Sequence, residues 1–156
     1  AGTTYHALVF AADVHGNRRP HRADMDVLSA TLTRVETGAR VSTRCGVDEE
    51  HQCYVIECTP ECSGAYRLDV SFNGEAIGEG HVHITVLPAD LCPSQCTADW
   101  VGQGAWVAGA KCSLTIITRD KFANLRLNND DAQAVMCTLR DPLHAESECG
   151  VSGKDG

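Results

Sequence analysis

Several features that define common classes of protein are missing from this 156-residue sequence. No apolar run approaches the roughly 20 residues of a membrane-spanning helix, and the best candidate, residues 7–12, ends at Asp13. The first residues have neither the basic stretch nor the apolar core of a signal peptide, so a signal would have to lie upstream of them. We therefore expect no membrane insertion by this segment.

Basic residues are scarce too. The chain has 13 lysines and arginines against 21 acidic residues, which gives a formal net charge of −8 and a pI near 5.2. Proteins that bind nucleic acids or acidic membranes need a concentrated basic patch. The sequence shows no such patch, so we expect no nucleic-acid partner.

Signatures of catalysis are absent as well. Residues 74–80 contain glycines but no lysine or phosphate-loop pattern. No cysteine lies in a protease-like sequence that would pair its thiol with a histidine base. We expect a protein that is not an enzyme, with no catalytic residues, no cofactor and no metal.

Cysteine, by contrast, is abundant. The nine cysteines are Cys45, Cys53, Cys58, Cys62, Cys92, Cys96, Cys112, Cys137 and Cys149. This density is typical of secreted modules that are held by disulfide bonds, and the odd number leaves one thiol free or paired outside this chain. The alternative is that several are buried apolar residues of a cytosolic domain. The composition favours an extracellular, oxidising location.

Apolar and polar residues alternate over short stretches that end in turn signals, which is typical of β-strands. The clearest case is residues 66–88, where Asn73-Gly74 separates two alternating runs and supplies the positive φ of a tight turn. The side chains expected to face inward are Tyr66, Leu68, Val70, Phe72, Val82, Ile84 and Val86. We predict strands over residues 4–13, 25–32, 39–45, 52–58, 66–72 and 81–87. Strands at this spacing predict an all-β sandwich or barrel.

An internal repeat organises the chain. An offset of 107 positions carries Asp13 onto Asp120 and aligns residues 2–32 with residues 109–139 without a gap. The matched identities are Gly2 with Gly109, Asn17 with Asn124, Arg19 with Arg126, Asp24 with Asp131, and Thr31-Leu32 with Thr138-Leu139. The repeat therefore predicts a strand over residues 130–139, although their composition also suits a short helix. Asp13 and Asp120 are expected to cap the turns that follow their strands.

The pattern resembles the filamin-type immunoglobulin-like repeat. The resemblance rests on an apolar strand running into "DVHGN" (13–17) or "DKFAN" (120–124), on "SGAYRLDVSFNGEAI" (63–77), on "GEGHVHITVLP" (78–88) and on "ADWVGQGAWVAG" (98–109). The chain departs from the family in its many cysteines, in Glu79-Gly80-His81 within the last strand, and in Ala123, where the first copy has Gly16.

The resemblance implies tandem immunoglobulin-like β-sandwiches of the filamin type. Residues 1–88 would form a nearly complete repeat that lacks an obvious opening strand, and residues 89–156 the N-terminal half of a second repeat. Tyr66 would then be a tyrosine corner, whose hydroxyl ties the preceding loop to the backbone.

The resemblance also implies a function. The chain would be a non-enzymatic segment of a larger cell-surface protein that acts in cell–cell adhesion or recognition, as in plant and algal gamete-surface proteins, and so in gamete attachment. Its partner would be a surface receptor or a neighbouring repeat, bound by loops at the sandwich ends or at an exposed sheet edge. The alternative is an actin-linked or ciliary scaffold inside the cell, which takes partner peptides as strands beside Met25–Leu32 and Ala39–Cys45.

Some residues have the chemistry of a metal site, although simpler interpretations are favoured. The pairs Cys58/Cys62 and Cys92/Cys96 can form a four-thiolate zinc site if they converge, but disulfides suit their spacing better. His81 and His83 share one strand face and can chelate a metal, but no third ligand is visible nearby. The carboxylates of Asp120, Asp130 and Asp131 suit calcium, but turn capping is the preferred role of Asp120.

Local disulfide pairing is also open. Cys45 and Cys53 flank a predicted hairpin and are expected to face each other across it. Cys112 is either a core thiol or half of a bridge, with Cys92 or Cys96 as candidate partners, and Cys149 can pair beyond Gly156. The sequence does not determine the connectivity.

Overall fold

The computed structural model of the protein describes residues 1–22, 25–101, 110–111, 113–127, 129–140 and 146–153. It is built mostly from antiparallel strands, with almost no helix, which confirms the predicted all-β class. The chain divides into two compact units, Ala1–Leu87 (unit 1) and Pro88–Gly156 (unit 2). Across the described ranges, no helix has the length and apolar character needed to cross a membrane.

Unit 1 contains two antiparallel sheets in its described residues. Its strands are β1 (Tyr5–Val9), β2 (Leu28–Arg34), β3 (Arg40–Val41), β4 (Thr43–Asp48), β5 (Cys53–Cys58), β6 (Gly64–Phe72) and β7 (Glu75–Val86). The first sheet has the order β1-β5-β4, and the second has the order β3-β2-β6-β7. The hairpin predicted over residues 46–51 is confirmed, but its turn is shorter: β4 extends to Asp48, which pairs with Cys53 across residues 49–52.

A small apolar core joins the two sheets of unit 1. Its buried members are Leu32, Cys58, Tyr66, Leu68 and Val86, and Ala7 packs against them. Burying side chains of this size stabilises a fold by about 1.5–3 kcal/mol each. The Tyr66 hydroxyl donates a hydrogen bond to the Cys62 carbonyl at 2.8 Å, so the predicted tie between this tyrosine and the preceding loop is confirmed.

The β6–β7 hairpin turns at two residues. Asn73 and Gly74 have φ of 51° and 85°, and two positive values in a two-residue loop define the turn that matches strand twist. The second strand of the hairpin starts at Glu75 rather than at residue 81, and so the predicted start is wrong. Residues 77–80 form a bulge in β7, because Asp69 pairs with His81 while Ser71 pairs with Ala76.

One predicted inward-facing residue of this hairpin is exposed. Val82 pairs with the buried Leu68, yet 55% of its surface is accessible. Since β7 is the outer strand of the wider, four-stranded sheet, the three-stranded sheet leaves this position uncovered. The prediction that Val82 is packed in the core is therefore wrong.

Unit 2 starts with a short 3₁₀ helix, Pro93–Gln95, and continues with strands. β8 (Thr97–Val101) pairs antiparallel with β9 (Ser113–Ile117), and β10 (Thr138–Arg140) pairs with β11 (Glu146–Glu148). Predictions that involve Asp24, Gly109 and Cys112 lie outside the described residues.

The strand predicted over residues 130–139 is largely wrong. Asn129–Ala134 form a 3₁₀ helix, and β10 starts only at Thr138. Asp131 binds Arg126 through both carboxylate oxygens, at 2.7 and 2.9 Å, which ties this segment to its own preceding loop. Asn and Asp are poor strand formers and favour turns of this kind.

The internal repeat is nevertheless visible in the loops after β1 and β9, which contain the same set of hydrogen bonds. Asp13 Oδ1 accepts hydrogen bonds from the backbone N–H groups of His15 and Asn17, at 2.9 and 2.8 Å. Asp120 Oδ1 accepts the equivalent bonds from Phe122 and Asn124, both at 2.9 Å. In each loop the asparagine amide donates to the other carboxylate oxygen of the aspartate. The predicted capping by both aspartates is confirmed.

The two loops differ at one position where φ is positive. This difference predicts opposite effects on stability for two substitutions. Gly16 has φ of 82° and its equivalent Ala123 has φ of 65°, and a left-handed conformation costs an alanine about 1–2 kcal/mol relative to glycine. Gly16→Ala should destabilise unit 1 by about 1 kcal/mol, and Ala123→Gly should stabilise unit 2 by about 0.5 kcal/mol. Urea unfolding of each variant measures both changes.

Gly150→Ala is the matched control for this pair. A side chain at Gly16 or at Gly150 meets nothing within 4 Å, but only Gly16 has positive φ. Equal losses from Gly16→Ala and Gly150→Ala would contradict the conformational explanation.

Candidate functional site

Three loops meet at one end of unit 1. The Arg18 guanidinium donates a 2.8 Å hydrogen bond to the His51 carbonyl, which joins the β1–β2 loop to the β4–β5 loop. Val27 and Asn73 exchange two hydrogen bonds, at 2.7 and 2.8 Å, which join the β1–β2 loop to the β6–β7 turn. We call this surface the loop end, and it comprises residues 10–22, 25–27, 49–52 and 73–74.

A buried carboxylate fastens the loop end to β5. Asp26, whose side chain is only 5% exposed, pairs with the Arg19 guanidinium at 2.9 Å and accepts a hydrogen bond from the Tyr54 hydroxyl. The same hydroxyl accepts a hydrogen bond from the Arg22 backbone N–H at 2.8 Å. The hydrogen bonds from Arg19 and Tyr54 hold the pKa of Asp26 well below its usual range.

Tyr54 itself is fixed by aromatic packing. It is 3% exposed, and its ring meets those of Phe72 and His21 edge-on at centroid distances of 5.3 and 6.2 Å. Burial, followed by the hydrogen bond to Asp26, raises the pKa of Tyr54. The hydroxyl therefore stays protonated and able to donate over the physiological pH range.

The loop end carries charges of both signs, with three arginines and four carboxylates among its residues. Arg18 and Arg22 are exposed, and within the described ranges neither forms an ion pair with a carboxylate. Arg18 lies over the Phe10 ring at 3.8 Å, which orients its guanidinium. Beside it is a depression of about 370 Å³ lined by Arg18, Arg19, Pro20, His51 and Gln52. Guanidinium groups in such a setting can bind carboxylates of a partner.

Sequence reasoning missed this arrangement. No functional role was predicted for residues 15–22, although three arginines and two histidines within eight residues are conspicuous in a chain of net charge −8. That local excess of basic residues was the available signal. The role of Asp26 could not be inferred in the same way, because its partner Tyr54 is 28 residues away in sequence.

The candidate metal ligands are not gathered into one site. The part of the chain that the structure describes contains no group of three or more histidine, cysteine, aspartate or glutamate side chains able to hold a metal ion. His81 and His83 contact each other, with ring centroids 5.0 Å apart. Asp120 and Asp131 are engaged by backbone N–H groups and by Arg126.

The cysteines considered as zinc ligands, Cys58/Cys62 and Cys92/Cys96, differ in burial and in hydrogen bonding. Burial raises the pKa of the Cys58 thiol, which disfavours the thiolate that zinc requires, while Cys62 is exposed. Cys92 and Cys96 belong to unit 2, where the Cys96 thiol donates to the Cys92 carbonyl at 3.3 Å. The six cysteines from Cys45 to Cys96 all have free thiols in this structure.

The expectation that Cys45 and Cys53 face each other is wrong. Cys45 pairs with Ile56 and Cys53 pairs with Asp48 in the β4–β5 ladder. Positions three residues apart on a strand project to opposite faces of a sheet. Cys45 shares its face with Ile56 and Cys53 shares the other face with Asp48, so their side chains lie on opposite sides of the sheet. Cys45 is exposed and Cys53 is fully buried.

The strands predicted to accept partner peptides are only partly available. Residues 28–34 of β2 pair with β6, and on its other side β3 covers only Leu32 and Thr33. The Thr43 hydroxyl donates to the Ala30 carbonyl at 2.7 Å and so occupies part of the remaining edge. β4 is an outer strand of its sheet in the described structure.

Comparison with known proteins gives no relative: no family model matches this chain, and no curated protein matches it. The filamin resemblance therefore stays a prediction that depends on the residues and their spacing.

The Asp26 cluster generates a pH-dependent prediction. A carboxyl group with a folded-state pKa below its ordinary value of 3.8 contributes stability that is fully present above that value and is lost as the pH falls below it. Asp26→Asn should therefore destabilise unit 1 at pH 6, and its difference from wild type should shrink steadily below about pH 4. Urea midpoints measured from pH 6 down to pH 2 test this.

Asp69→Asn is a suitable control. Asp69 pairs with Arg67 on the surface, with both side chains substantially exposed, and such pairs contribute little to stability. A difference between Asp26→Asn and wild type that stays constant with pH would contradict the proposed role of the Asp26 charge.

Proposed function

We propose that this chain is a non-enzymatic segment of a larger cell-surface protein and that it binds a protein partner in cell–cell adhesion or recognition. In this proposal residues 1–88 and 89–156 belong to successive filamin-type immunoglobulin-like repeats, and the resemblance extends the role to gamete attachment. The observation that carries the proposal is the loop end, where three loops held by Asp26 and Asn73 present the guanidinium groups of Arg18 and Arg22.

The strand order supports the immunoglobulin-like part of the proposal. Immunoglobulin-type sandwiches place strands B, E and D in one sheet and strands C, F and G in the other. If β1, β2, β4, β5, β6 and β7 are assigned as B, C, D, E, F and G, the sheets β1-β5-β4 and β3-β2-β6-β7 have this order. In this assignment no described strand of unit 1 takes the place of strand A.

The tie made by Tyr66 is a second support. A tyrosine near the start of strand F, hydrogen-bonded to backbone a few residues upstream, is a hallmark of these sandwiches. Tyr66 occupies that position in β6 and binds the Cys62 carbonyl. The capped loops at Asp13 and Asp120 support the tandem arrangement, because they have the same hydrogen bonds at equivalent positions.

Arg18 and Arg22 give the loop end two groups that suit recognition of carboxylates on a protein surface. Loops at the ends of a sandwich are common binding sites because a rigid scaffold positions them. Arg18 and Arg22 can form charge-assisted hydrogen bonds with partner carboxylates. The partner proposed here is a receptor on another cell that presents such carboxylates.

An intracellular scaffold is the second candidate. The observation that favours it is the outer position of β4, which can accept a peptide as an added strand. The extracellular location, in contrast, is proposed from the nine cysteines of the sequence.

Charge reversal at the loop end tests the proposed binding surface. Arg18→Glu/Arg22→Glu should reduce binding of the fluorescently labelled chain to intact cells of the producing organism by at least about tenfold, because each lost charge-assisted contact is worth roughly 1.5–3 kcal/mol. Flow cytometry over a concentration series measures the binding.

The control variant Arg40→Glu/Arg44→Glu makes the same change in net charge at exposed positions away from the loop end. Equal loss in both variants would indicate general electrostatic attraction and contradict a specific surface. Cosedimentation of the wild-type chain with actin filaments, without cell binding, would favour the scaffold.

The compartment is tested by intact-mass measurement of the natural protein with and without reductant. We expect eight of the nine thiols to be tied up as disulfides if the protein is extracellular, so that reduction raises the mass by the corresponding hydrogens. Cys45 and Cys53 should not be linked to each other, because they lie on opposite sheet faces. Nine free thiols would contradict the extracellular location.

A further inference from the structure

Two cysteines of unit 2 lie directly opposite each other across a pair of strands. β10 and β11 pair antiparallel, with Thr138 opposite Glu148. The same register, extended by one residue, places Cys137 opposite Cys149, and the Cys149 backbone N–H donates a hydrogen bond to the Cys137 carbonyl at 3.0 Å. Directly opposite residues of antiparallel strands project their side chains to the same face. The two cysteine side chains therefore leave the backbone on the same side.

The separation typical of such a pair suits a disulfide bond. Opposite residues joined by a backbone hydrogen bond have Cα atoms about 5.5 Å apart, and disulfides span Cα distances of about 4.4–6.8 Å. The Cβ atoms need to approach by about 1 Å from their usual cross-strand distance. Cys137 and Cys149 each lie one residue beyond the end of a strand. The backbone can make this adjustment there, because a strand end opens locally at lower cost than a strand centre.

Among the described cysteines, no other pair is opposed in this way by the strand registers. The three cysteines of the β4–β5 ladder all lie opposite residues of other types, namely Ile56, Asp48 and Thr43. The sequence left the partner of Cys149 open, because its pairing depends on the register of two strands rather than on local spacing.

We propose that Cys137 and Cys149 form a disulfide bond within the chain, as a redox-sensitive site that fastens β11 to β10. The oxidant is a low-molecular-weight disulfide such as oxidised glutathione. The Cys149 side chain is exposed, so its thiolate attacks one sulfur of the oxidant, forms a mixed disulfide and releases the first glutathione thiolate. The Cys137 thiolate then attacks the Cys149 sulfur, forms the protein disulfide and releases the second glutathione thiolate.

The electrons and protons of this exchange balance. The two protein thiols lose two electrons and two protons, and oxidised glutathione takes them up as two glutathione thiols. The proposal rests on the strand register and is independent of the adhesion role and of the compartment. Nine free thiols in the natural protein would contradict the extracellular location, whereas oxidation of the purified chain by glutathione tests the geometry of this pair.

The bond has a structural consequence because the β10–β11 sheet is small. Each strand has three residues, and the described sheet has only two strands. A two-stranded sheet is at best marginally stable alone, and a cross-link removes many of the open conformations that compete with pairing. Oxidation is therefore expected to keep the two strands paired for a larger fraction of the time.

Peptide mapping of the full chain tests the pairing. The chain is equilibrated with reduced and oxidised glutathione, its remaining thiols are blocked, and it is digested with trypsin without reduction. Trypsin cuts after Arg140, so Cys137 and Cys149 fall in separate peptides, residues 127–140 and 141–154, each with a single cysteine. We expect these two peptides to be recovered mainly as one linked species that reduction separates.

Other products of the digest would overturn the proposal. These are peptide 141–154 linked mainly to a different cysteine peptide, or both peptides recovered mainly unlinked. A link found only in a covalent dimer on a non-reducing gel would likewise overturn a bond within the chain.

Amide hydrogen exchange measures whether the bond fastens the strands. Exchange in residues 138–140 should slow by about tenfold or more on oxidation, because opening of the pair is restricted. Cys137→Ser should abolish both the linked peptides and this slowing. The control Cys62→Ser, which removes an exposed cysteine of unit 1, should retain both. Slowing that persists in Cys137→Ser, or no slowing in the linked wild-type chain, would overturn the fastening role.

Discussion

Packing of two antiparallel sheets around a small apolar core is the constraint on which unit 1 depends. The core residues Leu32, Tyr66, Leu68 and Val86 come from one sheet, and Cys58 from the other. Because this core is small, the hydroxyl of Tyr66 matters as well as its ring, since it satisfies a polar group that burial would otherwise leave costly. With the sheets fixed in this way, the loops between the strands emerge at defined places, and the loop end is one of these.

The loop end is held by polar contacts rather than by apolar burial. Asp26 connects Arg19 with Tyr54, and Asn73 binds the backbone of Val27, so a long loop is tied both to β5 and to the β6–β7 turn. Buried charge is tolerated here because each carboxylate oxygen has a donor. In this arrangement Arg19 stabilises the loop through its ion pair with Asp26, whereas Arg18 faces outward.

The features predicted well from the sequence are those set by neighbouring residues. The turn at Asn73-Gly74 was predicted correctly. The loops at Asp13 and Asp120 were also predicted correctly, because in each loop the hydrogen-bond donors and the accepting aspartate lie within five residues of one another. The misplaced features depend on distant contacts or on the widths of the sheets. Residues 130–139 were predicted as a strand from the internal repeat, which does not reveal the ion pair between Arg126 and Asp131. Val82 was expected to be buried because it occupies an inward-facing position in the alternation of apolar and polar residues. It is exposed because the facing sheet is narrower than its own.

The division into two units has a spectroscopic consequence. All three tyrosines, Tyr5, Tyr54 and Tyr66, belong to unit 1, whereas both tryptophans, Trp100 and Trp106, belong to unit 2. Tyrosine absorbance and tryptophan emission are therefore separate natural reporters of the two halves of the chain. A single denaturation experiment that records both signals reveals whether the halves melt together or one after the other, without any label or engineered residue.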